Sequence, residues 1–173
     1  MIITFLQRLF WMVVLLATQM LVLNHIHLFG YATPLIIIYF LLLFPLGTSR
    51  WSIMLWGFVC GLLADMVTLT PGVGAGAMTL AAFIQPQLLL AMRPKEAAED
   101  MQASFHTMGF WPYARYCSIL TFIFCLAYFL LQVFSFFHIV HLAISFIGSW
   151  LLSFVLCIAV EAMRPINSRK VEI

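Results

Sequence analysis

The eight Lys and Arg residues of this chain are Arg8, Arg50, Arg93, Lys95, Arg115, Arg164, Arg169 and Lys170. All of them fall on one side of a membrane when the apolar segments are read as six crossings. Cytoplasmic loops retain Lys and Arg, and translocated loops lack them. One assignment therefore sets the number of crossings, their orientation and the compartment together. Both termini are cytoplasmic, and the three outside loops hold no Lys or Arg. Of the 173 residues, 65% are hydrophobic and 8% are charged, whereas a soluble domain carries about 25% charged residues. Such a chain cannot clothe an ordinary water-facing surface. The expected fold is all-α: one integral membrane domain made of a bundle of six transmembrane helices, with both termini inside. The net charge of +2 is scattered over short loops, so no basic stripe for nucleic acid is formed.

A helix needs about 20 apolar residues to cross the hydrocarbon core. The expected helices are 4–23, 32–46, 51–68, 75–92, 113–134 and 138–163, with one long cytoplasmic loop at 93–112. The first is read as a retained helix, because Arg8 precedes its apolar run and no small-x-small cleavage site follows. The second is framed by Pro34 and Pro45 and is short, covering about 22 Å at ~1.5 Å per residue. A re-entrant hairpin is the alternative, but it would place Arg50 outside. A full crossing with local bilayer thinning keeps the charge pattern. Thr70-Pro71-Gly72-Val73-Gly74 is a turn by its Pro and Gly content. Pro94-Lys95-Glu96, followed by Glu99 and Asp100, suggests a short surface helix with Pro at its first position. Phe105, Phe110 and Trp111 then return to the membrane surface. Within this loop, Lys95, Glu99, Asp100, Phe110 and Trp111 are the candidate contact for a cytoplasmic protein. An amphipathic linker lying on anionic lipid is the competing description.

Asp65 is the ionisable residue placed well inside an apolar segment. Its cost there is about 2.5–3.5 kcal/mol at a helix centre and less toward the interface. Gly57, Gly61 and Asp65 recur every fourth residue, and Thr68 follows three later, so all four share one helix face. Gly57-x-x-x-Gly61 lets another backbone approach closely and aims the carboxylate into a helix contact. Thr68, Thr70 or the N–H groups opening the fourth helix are its candidate partners. Two roles compete: a ligand or partner contact in an outward pocket, and a carboxylate capping the helix start at 72–76. A helix N-terminus attracts an anion, which favours the second. A proton relay would need a second intramembrane acid or base, and none is evident.

Ser145, Ser149, Ser153, Cys157 and Glu161 stand four residues apart on the sixth helix. Small, weakly polar ridges of this kind are packing faces in membranes. Glu161, near the cytoplasmic end, is expected to snorkel or to pair with Arg164. The four cysteines, Cys60, Cys117, Cys125 and Cys157, read as small apolar packing residues. His25, His27, His138 and His141 gather at the outer face, where two pairs could bind zinc. Their spacing is loose, however, and no Cys or carboxylate completes a set, so no metal or other cofactor is expected. His106 lies in the cytoplasmic loop. Gly72-x-Gly74-x-Gly76 has no following Lys and is not a phosphate loop. No catalytic constellation is present, and the chain is not expected to be an enzyme.

Several stretches together resemble the rod shape-determining MreD family in its Bacteroidetes form. They are the run from Leu23-Asn24-His25-Ile26-His27-Leu28-Phe29-Gly30 through Tyr31-Ala32-Thr33-Pro34, Phe44-Pro45-Leu46, Trp56-Gly57-Phe58, Gly61-Leu62-Leu63-Ala64-Asp65, Thr70-Pro71-Gly72 and Thr107-Met108-Gly109. The resemblance implies a non-enzymatic component of the elongation machinery that builds lateral peptidoglycan and maintains cell shape, seated in the inner membrane. It also implies association with the bitopic protein MreC, and with a class B penicillin-binding transpeptidase, RodA and the actin-like MreB in the same assembly. The implied fold is similar to the six-helix S-component of energy-coupling-factor vitamin transporters. A substrate-binding S-component is therefore the alternative function. Those carriers dock through an Ala-x-x-x-Ala patch on the first helix, where this chain has only Ala17.

Overall fold

A computed structural model describes residues 2–21, 35–68, 70, 72–93, 102–132 and 139–163. Among them there is no strand. The elements are α1 (Ile2–Leu21), a 3-10 turn (Ile36–Ile38) leading into α2 (Tyr39–Leu42), α3 (Arg50–Thr68), α4 (Val73–Met92), α5 (Phe105–Met108), α6 (Phe110–Gln132) and α7 (Ile139–Ala162). Three helical segments are long and apolar enough to cross a membrane: Val73–Met92, Phe110–Gln132 and Ser145–Ala162. α1 carries a shorter apolar stretch, Phe5–Gln19.

Residues 36–42 have no polar face, and a helix that is apolar all round belongs inside. Ile38, Tyr39, Phe40 and Leu41 are fully buried, with α1, α3, α4 and α7 around them. The expected helix 32–46 is thus described over Ile36–Leu42, two short helical pieces, and residues 22–34 lie outside the described part. The start of this segment sits in the interior, where orphan N–H groups must find partners. Leu35 N–H donates to Ser153 Oγ of α7 (2.8 Å), and Ile36 N–H donates to Gln19 Oε1 of α1 (2.9 Å). At the far end of the segment, the Tyr39 hydroxyl donates to Glu161 Oε2 (2.6 Å).

α3 and α4 form an antiparallel pair joined through Thr70 and Gly72. Their contact is built from small residues, so the backbones nearly touch. A Cβ on Gly61 would lie 2.6 Å from Gly74 O and 2.7 Å from Ala75 Cα. Gly57 has more room, with Ala82 Cβ at 3.1 Å and Met78 O at 3.2 Å. α4 packs against α6 on its other side. α6 and α7 are joined by rings: Phe122 stands edge-on to Phe146 and to Trp150, at 5.3 and 5.8 Å between centroids. Trp150 Nε1 donates to Ser118 O (3.2 Å).

Gln102 Nε2 donates to Leu43 O, tying the end of the long loop to the bundle. Ser104 N-caps α5, and Gly109 at φ +81° makes the turn into α6. α6 starts at Phe110, three residues before the expected 113, so Phe110 and Trp111 form its exposed first turn. Lys95, Glu99 and Asp100 lie outside the described residues.

The two glycines give different outcomes on substitution. Gly61→Ala drives a methyl into backbone and is expected to lower stability by about 1–3 kcal/mol or more. At Gly57→Ala, a helix-propensity gain of about 0.5–1 kcal/mol offsets a milder contact, leaving stability near wild type. Thermal unfolding of the two variants in detergent measures the difference.

Candidate functional site

Asp65 lies one turn before the end of α3, and the chain then doubles back through Thr70 and Gly72 into α4. The N-cap position of α4 is Gly72, at φ +89°, and it has no side chain to cap with. Asp65 supplies the missing acceptor. Its Oδ1 accepts from Gly74 N–H (2.7 Å), and its Oδ2 accepts from Gly72 N–H (3.0 Å) and Ala75 N–H (2.9 Å). The carboxylate is 4% exposed. Charge-assisted bonds to backbone N–H groups, strengthened by the helix dipole, offset its desolvation. The geometry is that of a capping carboxylate. Gly74 and Gly61 are needed for it: a Cβ on Gly74 would lie 2.5 Å from Asp65 Oδ1, and one on Gly61 would push the first turn of α4 away.

Thr68 and Thr70 do not touch the carboxylate through any described hydrogen bond. Their hydroxyls bond each other at 2.7 Å, and Thr68 Oγ1 also lies 3.2 Å from Ala64 O, to which it donates. A cavity of about 20 Å³ lies beside them, lined by Gln19, Asp65, Thr68 and Tyr128 among others. That is room for about one water molecule.

The ridge on α7 faces inward. Ser149, Ser153, Cys157 and Glu161 are buried and Ser145 is half-buried, while Ile147, Leu151 and Val155 on the opposite face are exposed. Ser153 does more than pack, because it caps the segment at Leu35. Glu161 differs from one of its two expectations. Its carboxylate is 4% exposed and accepts from the Tyr39 hydroxyl, so of the two expectations, snorkelling and pairing with Arg164, the first does not hold. Its membership of the four-residue ridge was the signal for burial, since every fourth residue shares one face. Arg164 lies outside the described residues.

Gln85 was passed over in the sequence. It is buried on α4, and its Nε2 donates to Tyr116 Oη (3.0 Å) and to Phe44 O (3.4 Å). Gln85 Oε1 and the Tyr113 hydroxyl have no partner among the described residues. All four cysteines are buried and free. His25, His27 and His138 lie outside the described residues, and the side chain of His141 is not described. Among the described residues, no group of His, Cys, Asp or Glu is arranged to hold a metal ion. His106 is exposed.

Replacing Asp65 tests the cap. Asp65→Ala strands two buried N–H groups, those of Gly74 and Ala75, and the part-buried N–H of Gly72. Each buried one costs about 1–3 kcal/mol when unsatisfied, and the change is expected to cost more than either glycine change. Asp65→Asn keeps one acceptor oxygen and points an NH₂ at the other donors, so an intermediate loss is expected. The order wild type, Asn, Ala in detergent melting temperature is the measurement; equal stability of Ala and wild type would contradict the cap.

Comparison with family models, with known proteins and with solved structures gave no match. What the chain itself establishes is a helical protein in which, among the described residues, three helical segments are long and apolar enough to cross a membrane.

Proposed function

We propose that the chain is a six-span inner-membrane scaffold of the MreD kind, with both termini in the cytoplasm. It acts by binding a bitopic MreC-like protein in the machinery for lateral peptidoglycan synthesis and cell shape. The transpeptidase, RodA and MreB are the further members of that assembly. The observation that carries the proposal is the use of Asp65. Both oxygens of this carboxylate are committed to the backbone of α4, which gives the residue an architectural role and leaves it without chemistry to perform. The same holds for Gln19 and Ser153, whose oxygens hold a helix start.

Further support comes from the cations. Arg8 donates to Thr48 Oγ1 (3.3 Å) and lies 4.8 Å from the centre of the Phe44 ring. Arg8 and the turn before Arg50 therefore share one end of the bundle. α4 runs back toward that end and finishes at Arg93, and Gln102 returns there to bond Leu43. This clustering suits a cytoplasmic face. Broad apolar faces on α1 and α3 remain exposed, including Phe10, Leu55, Phe58 and Met66. They suit lipid or a partner's membrane helix. Small-molecule carriage is less well served, since a ligand pocket needs about 300 Å³ or more and the cavity at Asp65 has about 20 Å³.

Two measurements test the proposal. Affinity purification of the tagged protein from native membranes in mild detergent is expected to recover an MreC-like single-span protein; recovery of paired transporter ATPases would overturn the scaffold. For topology, single cysteines at positions 28 and 136 are expected to react with an impermeant thiol reagent from outside, and those at 49 and 107 only after permeabilisation. Labelling of position 49 from outside would make the 32–46 segment re-entrant.

A further inference from the structure

We infer that the open groove between the start of α6 and the middle of α7 is a binding site for an anionic phospholipid, with Arg115 holding its phosphate. The inference rests on α6 crossing a membrane and is independent of any MreC-like partner.

The groove has a volume of about 310 Å³ and is lined by Trp111, Ala114, Arg115, Ser118, Ile119 and Phe154. Trp111, Arg115 and Ile119 are spaced four apart and share one face of α6. Arg115 stands five residues beyond Phe110, the first residue of the helix, about 7.5 Å along the axis at ~1.5 Å per residue. That is the depth at which headgroup gives way to hydrocarbon. A guanidinium stays charged there, because it does not deprotonate in proteins, and an intramembrane charge needs a partner. Arg115 is exposed and has no hydrogen bond or ion pair among the described residues. Arg8 shows the contrast. It too lies within a helix, but its charge is already engaged by Thr48 and the Phe44 ring.

The surroundings of Arg115 are graded as a lipid is graded. Trp111, 72% exposed, stands one turn toward the helix start, at the level where aromatic side chains meet headgroups. Ile119, with Phe154 of α7, continues the groove toward the hydrocarbon as an apolar wall for an acyl chain. The planar fork of Arg115 matches two phosphate oxygens. No carboxylate lines the groove, so the ammonium of a zwitterionic headgroup finds no counter-charge. A headgroup of net negative charge is therefore selected.

The test is native mass spectrometry of the detergent-solubilised protein titrated with dioleoylphosphatidylglycerol or dioleoylphosphatidylcholine. Wild type is expected to retain the anionic lipid about fivefold better, the preference that one cation at a membrane surface supports. Arg115→Gln is expected to abolish that preference with unchanged circular dichroism. Should that variant fail to fold, Ile119→Trp carries the test: it fills the groove, leaves the charge in place and is expected to lower retention of phosphatidylglycerol. Arg93→Gln, at the exposed end of α4, is expected to leave the preference intact. Equal retention of the two lipids by wild type would overturn the inference. So would an unchanged preference in a folded Arg115→Gln, or displacement of the lipid by millimolar inorganic phosphate, which would mark a site for free anions.

Discussion

Every backbone N–H buried away from water must find an acceptor, and at two of the described helix starts side chains of other helices supply that acceptor. At α4 the acceptor is Asp65. At the segment beginning with Leu35 the acceptors are Gln19 and Ser153. Much of the remaining architecture follows. Gly61 and Gly74 lack side chains where the Asp65 carboxylate and the first turn of α4 come together. α1 and α7 must flank the segment because each donates one of its caps. Small residues set the spacing, and the polar atoms fix the register.

The end of the bundle opposite Asp65 is held by different chemistry. Phenolic hydroxyls take part here in place of backbone N–H groups: that of Tyr39 donates to Glu161, and that of Tyr116 accepts from Gln85. Rings cover the same region: Phe105 lies over Tyr113 at 4.7 Å, and Phe40 stands edge-on to Phe44 at 5.3 Å. A buried polar group that is fully paired gives a core one arrangement rather than several. Tyr39 with Glu161 at one end, and Asp65 with the start of α4 at the other, tie helices together by polar contacts of this kind.

Features with a local period were legible in the sequence. The glycines and Asp65 on one face of α3, the ridge on α7 and the turn at Thr70 each depend on spacing within a few residues, and the capping role of Asp65 was among the readings open from spacing alone. What was not legible depends on partners far along the chain. Nothing near Gln19 indicates Ile36, and nothing near Ser153 indicates Leu35. Glu161 shares the buried face of the ridge, but its bond to Tyr39 spans 122 residues and leaves no mark on the local pattern. The extent of the second segment was obscured for another reason. A run such as Ile36-Ile37-Ile38-Tyr39-Phe40-Leu41-Leu42 has no polar residue to give it a period, so sequence alone cannot distinguish one continuous helix from two short pieces. Among the described residues, three helical segments qualify as crossings by length and apolarity.

The cap at Leu35 also bears on the order of assembly. Its acceptor, Ser153, is made 118 residues later, and Tyr39 waits on a glutamate 122 residues downstream. The centre of the molecule is therefore synthesised well before the partners that complete it. Until α7 arrives, residues 35–42 have neither of these contacts, and contacts so distant in sequence form late because the loop must first be closed. α7 acts as a keystone: its insertion brings the partners of residues 35–42, and a chain cut short before Ser153 would leave the earlier helices without the contact that completes their centre.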